Sequence, residues 1–341
     1  MTSVTPSRDL LGRPLRDLRV SVTDHCNFRC TYCMPKEVFG PGFRFLPRSE
    51  ILTFEEIALV VGAASTLGVT KIRLTGGEPL LRRGLPTLVG MLGEVAGVTD
   101  IAMTTNGALL SRWAGPLAEA GLGRVTVSLD SVDPTVFQLM NGVSLPIEPV
   151  LAGIEAAAQA GLGPIKLNAV VRKGVNDQGV VALAAFAREH GHTLRLIEYM
   201  DVGESHGWRT EEVVPSSELL EVINSHWPLE PVAAAHAADV AQRYRYRDGA
   251  GEIGVISSVT APFCGACSRL RLTADGRLHT CLFASQGHDI RAQLRAGADQ
   301  ATLTAELKTL WERRTDRYSE LRSSQTLRPV GSKPEMSYLG G

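Results

Sequence analysis

Leu18-Arg19-Val20-Ser21-Val22-Thr23 runs straight into Asp24-His25-Cys26-Asn27-Phe28-Arg29-Cys30-Thr31-Tyr32-Cys33. The first stretch alternates apolar and polar side chains and includes β-branched ones, the pattern of a strand. The second sets three thiols in C-x3-C-x2-C spacing on one loop. Thiolates that close can converge on a single metal centre. A mononuclear zinc site wants four protein ligands, or three and a water, and the nearby His25 is adjacent to Cys26 and poorly aimed to join them. A four-iron cluster usually takes four cysteines. Three would leave one iron open to a substrate or cofactor.

Working outward, the strand signal returns at residues 71–75, 100–104, 124–129, 165–171 and 193–199. Helical patterns fill the gaps near 54–67, 85–95, 113–120, 150–160 and 180–190, three of them closed by Gly68, Gly121 and Gly161. Six strands alternating with helices predict an α/β fold with a parallel sheet, either open and doubly wound or part of a barrel. Beyond Asp201 the rhythm breaks. A helix over 218–225, a hairpin turned at Asp248-Gly249, a second strand pair around Asp275-Gly276 and a helix over 302–313 predict a smaller α+β appendage. The expected division is 1–234 and 235–341, and 322–341 reads as a polar, extended tail.

Lys and Arg number 35 against 36 Asp and Glu, so no global basic field exists to hold nucleic acid. No apolar run approaches the ~18 residues of a membrane span, and the polar N-terminus is not a secretory signal. The expected compartment is the cytoplasm. There, six clustered cysteines read as ligands rather than disulfides. The second triplet, Cys264, Cys267 and Cys281, has C-x2-C-x13-C spacing. Spacing alone fits a zinc site completed by His279 or His288.

The loop 26–33, Tyr32 included, resembles the signature of radical S-adenosylmethionine (SAM) enzymes. Thr75-Gly76-Gly77-Glu78-Pro79 resembles the glycine-rich loop in which that family meets the methionine amine. The resemblance implies a partial (βα)6 TIM-like barrel and a [4Fe–4S] cluster on Cys26, Cys30 and Cys33. It also implies SAM contacts from Tyr32, Gly77, Glu78, Ser128 and Met200.

Phe263-Cys264-Gly265-Ala266-Cys267-Ser268-Arg269-Leu270-Arg271-Leu272 resembles one branch, the GTP 3′,8-cyclases (MoaA) of molybdenum cofactor biosynthesis, and the likeness spans nearly the whole chain. It implies a second [4Fe–4S] cluster on Cys264, Cys267 and Cys281 whose open iron takes the guanine. The implied GTP contacts are Arg19, Arg73, Thr104, Lys166, Arg269, Leu270 and Arg271, with Arg195 as a further candidate. Arg19, Arg269, Arg271 and the Gly340-Gly341 tail are the implied catalytic groups. The implied reaction is radical abstraction of the GTP 3′ hydrogen and closure of C3′ onto C8. The implied partners are GTP, a flavodoxin- or ferredoxin-type electron donor and the downstream cyclic pyranopterin monophosphate synthase, with a homodimer as an option. No G-x-x-x-x-G-K-[ST] loop is present, so the triphosphate must be held by scattered cations. The competing readings are a peptide-modifying maturase and a non-enzymatic zinc-binding protein. The size of the chain argues against a ubiquitin-like carrier, despite its Gly-Gly ending.

Overall fold

In β1 (Asp17–Ser21), Leu18 and Val20 are fully buried, while Asp17 and Arg19 alternate onto the other face. The same two-residue alternation in β2 (Lys71–Thr75) buries Ile72 and Leu74 and turns Lys71 and Arg73 the other way. One side of the sheet therefore packs against helices, and the other lines a polar interior.

The structure, a computed structural model, describes residues 5–234, 238–322 and 333–340. β1 to β6 pair in chain order and all in parallel, with β3 (Asp100–Thr105), β4 (Arg124–Ser128), β5 (Lys166–Val171) and β6 (Thr193–Glu198) completing the set. The outer layer is α1 (Phe54–Ser65), α2 (Leu85–Gly93), α3 (Leu110–Glu119), α4 (Pro134–Asn141), α5 (Glu148–Gln159) and α6 (Val180–Glu189). α1 starts at a reciprocal capping box between Thr53 and Glu56. Gly68, Gly121 and Gly161 all have positive φ, as expected of residues that close helices. α4 is an addition to the sequence reading.

The C-terminal region opens with α7 (Ser216–His226), β7 (Leu229–Val232), β8 (Gln242–Tyr246) and β9 (Glu252–Ile256). It continues through β10 (Arg269–Leu272), β11 (Arg277–His279), β12 (His288–Asp289), α8 (Arg291–Arg295) and α9 (Gln300–Glu312) to the short α10 (Tyr318–Leu321) and α11 (Met336–Leu339). β8 and β9 form the expected antiparallel hairpin, and β10 and β11 the second pair. Their other edges were not foreseen. β9 adds in parallel to β6, and β10 adds in parallel to β1. The six-stranded arc thus gains one parallel strand at each edge, within a single 12-stranded sheet.

Candidate active site

Two loops and one helix end build the first cysteine site. Arg29 bridges the cysteine loop internally, donating to the carbonyls of Cys26, Phe28 and Phe39 at 2.7–2.8 Å. Backbone bonds from Arg29 and Thr31 to Asn141 and Met140 dock the loop on the end of α4. The Gly76-Gly77 turn crosses this loop so closely that a Cβ on Gly77 would lie 2.3 Å from the His25 carbonyl oxygen, so no side chain fits there. Glu78 is buried and accepts from the Leu80 N–H, the Thr105 hydroxyl and the Asn106 N–H, at 3.0, 2.7 and 2.7 Å. Burial pushes its carboxyl up to about 7, against the pull of those donors. The Tyr32 hydroxyl donates to Asp130 at 2.8 Å.

Burial, and then the neighbouring thiols or carboxylates, raise all three thiols, Cys26 to about 11 and Cys30 and Cys33 well above the usual thiol range. An iron ion bound in place of the protons would offset this desolvation. Sulfur acceptors already have donors. The Phe28 N–H lies 3.4 Å from the Cys26 sulfur, the Asn106 amide 3.9 Å from it, and the Ser337 backbone donates to Cys33. Among the described residues no three His, Cys, Asp or Glu side chains close on one point as ligands of a single ion do. A cluster instead spreads its thiolates over separate irons. The donor set, its burial and its N–H···S bonds fit such a group.

Parallel register places Arg271, Arg19 and Arg73 side by side across β10, β1 and β2. Arg73 reaches on to the Thr104 and Thr126 hydroxyls at 3.1 and 3.2 Å. Arg195 on β6 meets Thr126 from the far wall and holds Asn168 at 2.9 Å. Asp17 sits 3.7 Å from Lys71, and Asp100 is paired with Arg124 at 2.5 Å. Among the described residues, none of Arg19, Arg73, Lys166, Arg195, Arg269 and Arg271 lies within ion-pair distance of a carboxylate. Burial and then Arg271, Arg269 and Arg73 push the Arg19 guanidinium well below its usual range. Burial followed by Arg195, Arg124, Arg73 and Lys71 brings Lys166 down to about 8. A barrel interior is normally filled by branched apolar layers. This one collects positive charge that Asp17 and Asp100 offset only from beyond ion-pair distance, and a polyanion would neutralise it.

The second triplet flanks β10. Burial alone would raise the Cys267 thiol, but Arg269 and Arg314 overcome it and bring it down to about 6. Burial, then Asp316, pushes Cys281 up to about 11. His279, weighed as a zinc ligand, is buried, has neither ring nitrogen bonded to a side chain among the described residues, and faces Tyr338 edge-on. The tail returns into the barrel. Lys333 contacts Asp201 at 2.9 Å and Tyr318 at 2.7 Å. Glu335 accepts from Glu204 and Ser205, and Tyr338 donates to Asp275. The Gly340 carbonyl accepts from Arg271 at 3.1 Å, and a Cβ at Gly340 would lie 2.3 Å from a Thr75 methyl carbon.

Residues 20–187 match the family model described as Radical SAM superfamily, and residues 192–320 match Molybdenum Cofactor Synthesis C. A GTP 3′,8-cyclase of Acidothermus cellulolyticus is 55% identical, covering 98% of this chain and 99% of that protein. One from Staphylococcus haemolyticus is 44% identical over 99% and 100% of the two chains. The chain belongs to the GTP 3′,8-cyclase family. Streptococcus suis SuiB bound to S-adenosylmethionine shares the fold, with a TM-score of 0.61, 14% identity and coverage of 89% of this chain and 68% of that one. Membership of the radical SAM superfamily brings a [4Fe–4S] cluster and SAM as cofactors.

Against the cyclase-family expectations, the structure gathers Arg19, Arg73, Thr104, Lys166, Arg269 and Arg271 around one interior. Leu270 faces the other way. Strand alternation turns its side chain into the core with no exposure, so only its backbone can border a nucleotide. Glu78 is a brace between two loops, with three protein donors already on its carboxylate. Ser128 ends β4, and Met200 lies two residues past the end of β6. Gly341 lies outside the described residues, as does 323–332. The tail is not wholly extended, since α11 forms one helical turn. Residues passed over in the sequence include Asp9, Arg13 and Arg314. Arg195, the further candidate, spans the interior between Asn168 and Thr126.

Proposed function

We propose that the chain converts GTP to (8S)-3′,8-cyclo-7,8-dihydroguanosine 5′-triphosphate, the first step of molybdenum cofactor biosynthesis, with two [4Fe–4S] clusters. The observation that carries this reading is the row of interior cations that, among the described residues, have no carboxylate within ion-pair distance. Cys26, Cys30 and Cys33 would hold the first cluster, and Cys264, Cys267 and Cys281 the second, which takes the guanine. When bound, the first cluster and SAM supply a 5′-deoxyadenosyl radical able to take the C3′ hydrogen. The chain's own work is placement. Arg19, Arg73, Arg269, Arg271 and Lys166 bind the triphosphate, the Gly76-Gly77 turn admits close backbone contact with SAM, and Gly340 packs where no side chain could. Holding C3′ near C8 turns ring closure into a problem of orientation. On this reading residues 1–234 carry the radical chemistry, and 235–341 the auxiliary cluster and tail.

Among the described residues no helix is long and apolar enough to cross a membrane. A cytoplasmic setting, a flavodoxin- or ferredoxin-type donor, hand-off to cyclic pyranopterin monophosphate synthase and a homodimer complete the proposal. The test is anaerobic assay of iron-loaded protein with SAM and dithionite. GTP-dependent 5′-deoxyadenosine and a cyclised nucleotide by mass are expected. Release stimulated by a peptide but not by GTP would favour the maturase reading.

The pH dependence of GTP binding follows from Lys166. Lys166 sits at about 8, below Arg195 at about 9 and Arg271 at about 10, so of these three it gives up its proton first as the pH rises from 7. Below about 8 it is an ammonium that attracts phosphate; above, it is neutral and the attraction is lost. GTP affinity is therefore expected to fall several-fold, on the order of one charge-assisted bond, between pH 7 and 9. Lys166→Met should bind more weakly at pH 7 and flatten that slope. Isothermal titration at both pH values checks this, and an equal slope in both proteins would exclude Lys166.

A further inference from the structure

We propose that Arg314 is a positioning residue of the second cysteine triplet, donating to the Cys267 sulfur and supplying fixed positive charge that favours the reduced state of a cluster bound there. The inference rests on the reading that this triplet holds a cluster. Arg314 follows α9, and its side chain is 2% exposed. Its Nη2 donates to Cys267 Sγ at 3.2 Å, and its Nη1 to the Cys267 carbonyl at 2.8 Å. One planar fork thus fixes both the sulfur and the backbone of one ligand. The guanidinium stacks 4.6 Å from the ring of Trp311, which is fully buried.

The fork is itself held. Asp9 Oδ2 lies 3.4 Å from its Nη1, and Asp316 Oδ2 3.4 Å from its Nε. Asp9 also takes Arg13 Nε at 2.6 Å, and Arg13 donates to the Cys264 carbonyl at 2.9 Å and the Asp316 carbonyl at 2.7 Å. Two buried guanidiniums, from opposite ends of the chain, each grip one cysteine of the C-x2-C turn. Stability alone does not call for this, since a buried ionic group can often be replaced by packed apolar side chains at no loss. Donors and charge at a cluster sulfur do have a specific effect: they set its reduction potential. Arg269 also borders Cys267, but it belongs to the interior cations that GTP would engage. Arg314 is committed to Asp9, Asp316 and Cys267, so its influence is independent of the nucleotide.

The test uses the full chain carrying Cys26→Ser, Cys30→Ser and Cys33→Ser, reconstituted anaerobically with iron and sulfide. This parent should hold about four irons. Its midpoint potential is then measured by EPR-monitored redox titration, alone and with Arg314→Gln or Arg314→Lys. Arg314→Gln should lower the reduced-to-oxidised ratio at a given potential about tenfold, a shift of about 59 mV to more negative values for one electron. Arg314→Lys keeps the charge but not the fork and should shift in the same direction by less. If the Gln variant does not retain iron, the Lys variant carries the measurement. Unmoved potentials with full iron content overturn the role of Arg314. A parent that binds no iron overturns the second-cluster reading, and the proposal with it, before Arg314 is changed.

Discussion

Cys30→Ser is expected to abolish 5′-deoxyadenosine release, by a factor on the order of 10³ or more, because the radical source depends on its thiolate. Cys30 lies between Cys26 and Cys33, whose thiols both act on its own. Its backbone carbonyl accepts from the Cys33 and Met34 N–H groups, bonds that serine keeps. The variant should therefore fold normally and lose roughly four of eight irons. Cys281→Ser is the contrasting case, in which SAM cleavage by the first site survives while formation of the cyclic nucleotide fails. Anaerobic iron analysis with product quantification checks both. Normal turnover in Cys30→Ser would remove it from the ligand set.

Arg19→Met is expected to weaken GTP binding roughly 10- to 150-fold, the equivalent of about 1.5–3 kcal/mol for a lost charge-assisted bond. The same change should leave the nucleotide-free protein as stable or more so. Arg19 sits among Arg271, Arg269 and Arg73, and burial and these like charges hold its guanidinium down. Asp17 offsets part of that repulsion, and removing Arg19 relieves the rest, as a bound polyanion would. Such opposed effects on affinity and stability mark a residue kept for function. Titration calorimetry and thermal melts with and without GTP check the pair. A large fall in the melting temperature of the nucleotide-free protein would show that Arg19 is structural.

The parts of this arrangement that were legible in the sequence were local. Alternation in 18–23 and 71–75 marked the strands, and it also set Arg269 and Arg271 on one face with Leu270 on the other, which excludes the Leu270 side chain from the interior. The start of α4 is legible too. Asp133 caps it through bonds to the Thr135 and Val136 N–H groups, with Pro134 in the first turn. Contacts between distant segments left no local trace. A strand shows its pleat but not which neighbours it takes, so β9 read as one arm of a hairpin and its second edge, against β6, stayed hidden. The Asp9–Arg314 contact joins residues 305 apart, and no spacing rule points from one to the other.

In-register parallel pairing of β10 with β1 has a consequence for size. The C-x3-C-x2-C loop leaves from one end of this strand pair, and the C-x2-C turn enters at the other. From Asp17 to Ser21 the backbone advances ~13 Å. Inserting one residue ahead of the arginine in either strand would swing that strand's own guanidinium to the outer layer. Inserting two would restore the facing and stretch the span by ~6.6 Å. Loops elsewhere can lengthen freely, but these two strands act as a ruler for any molecule that must touch both ends at once.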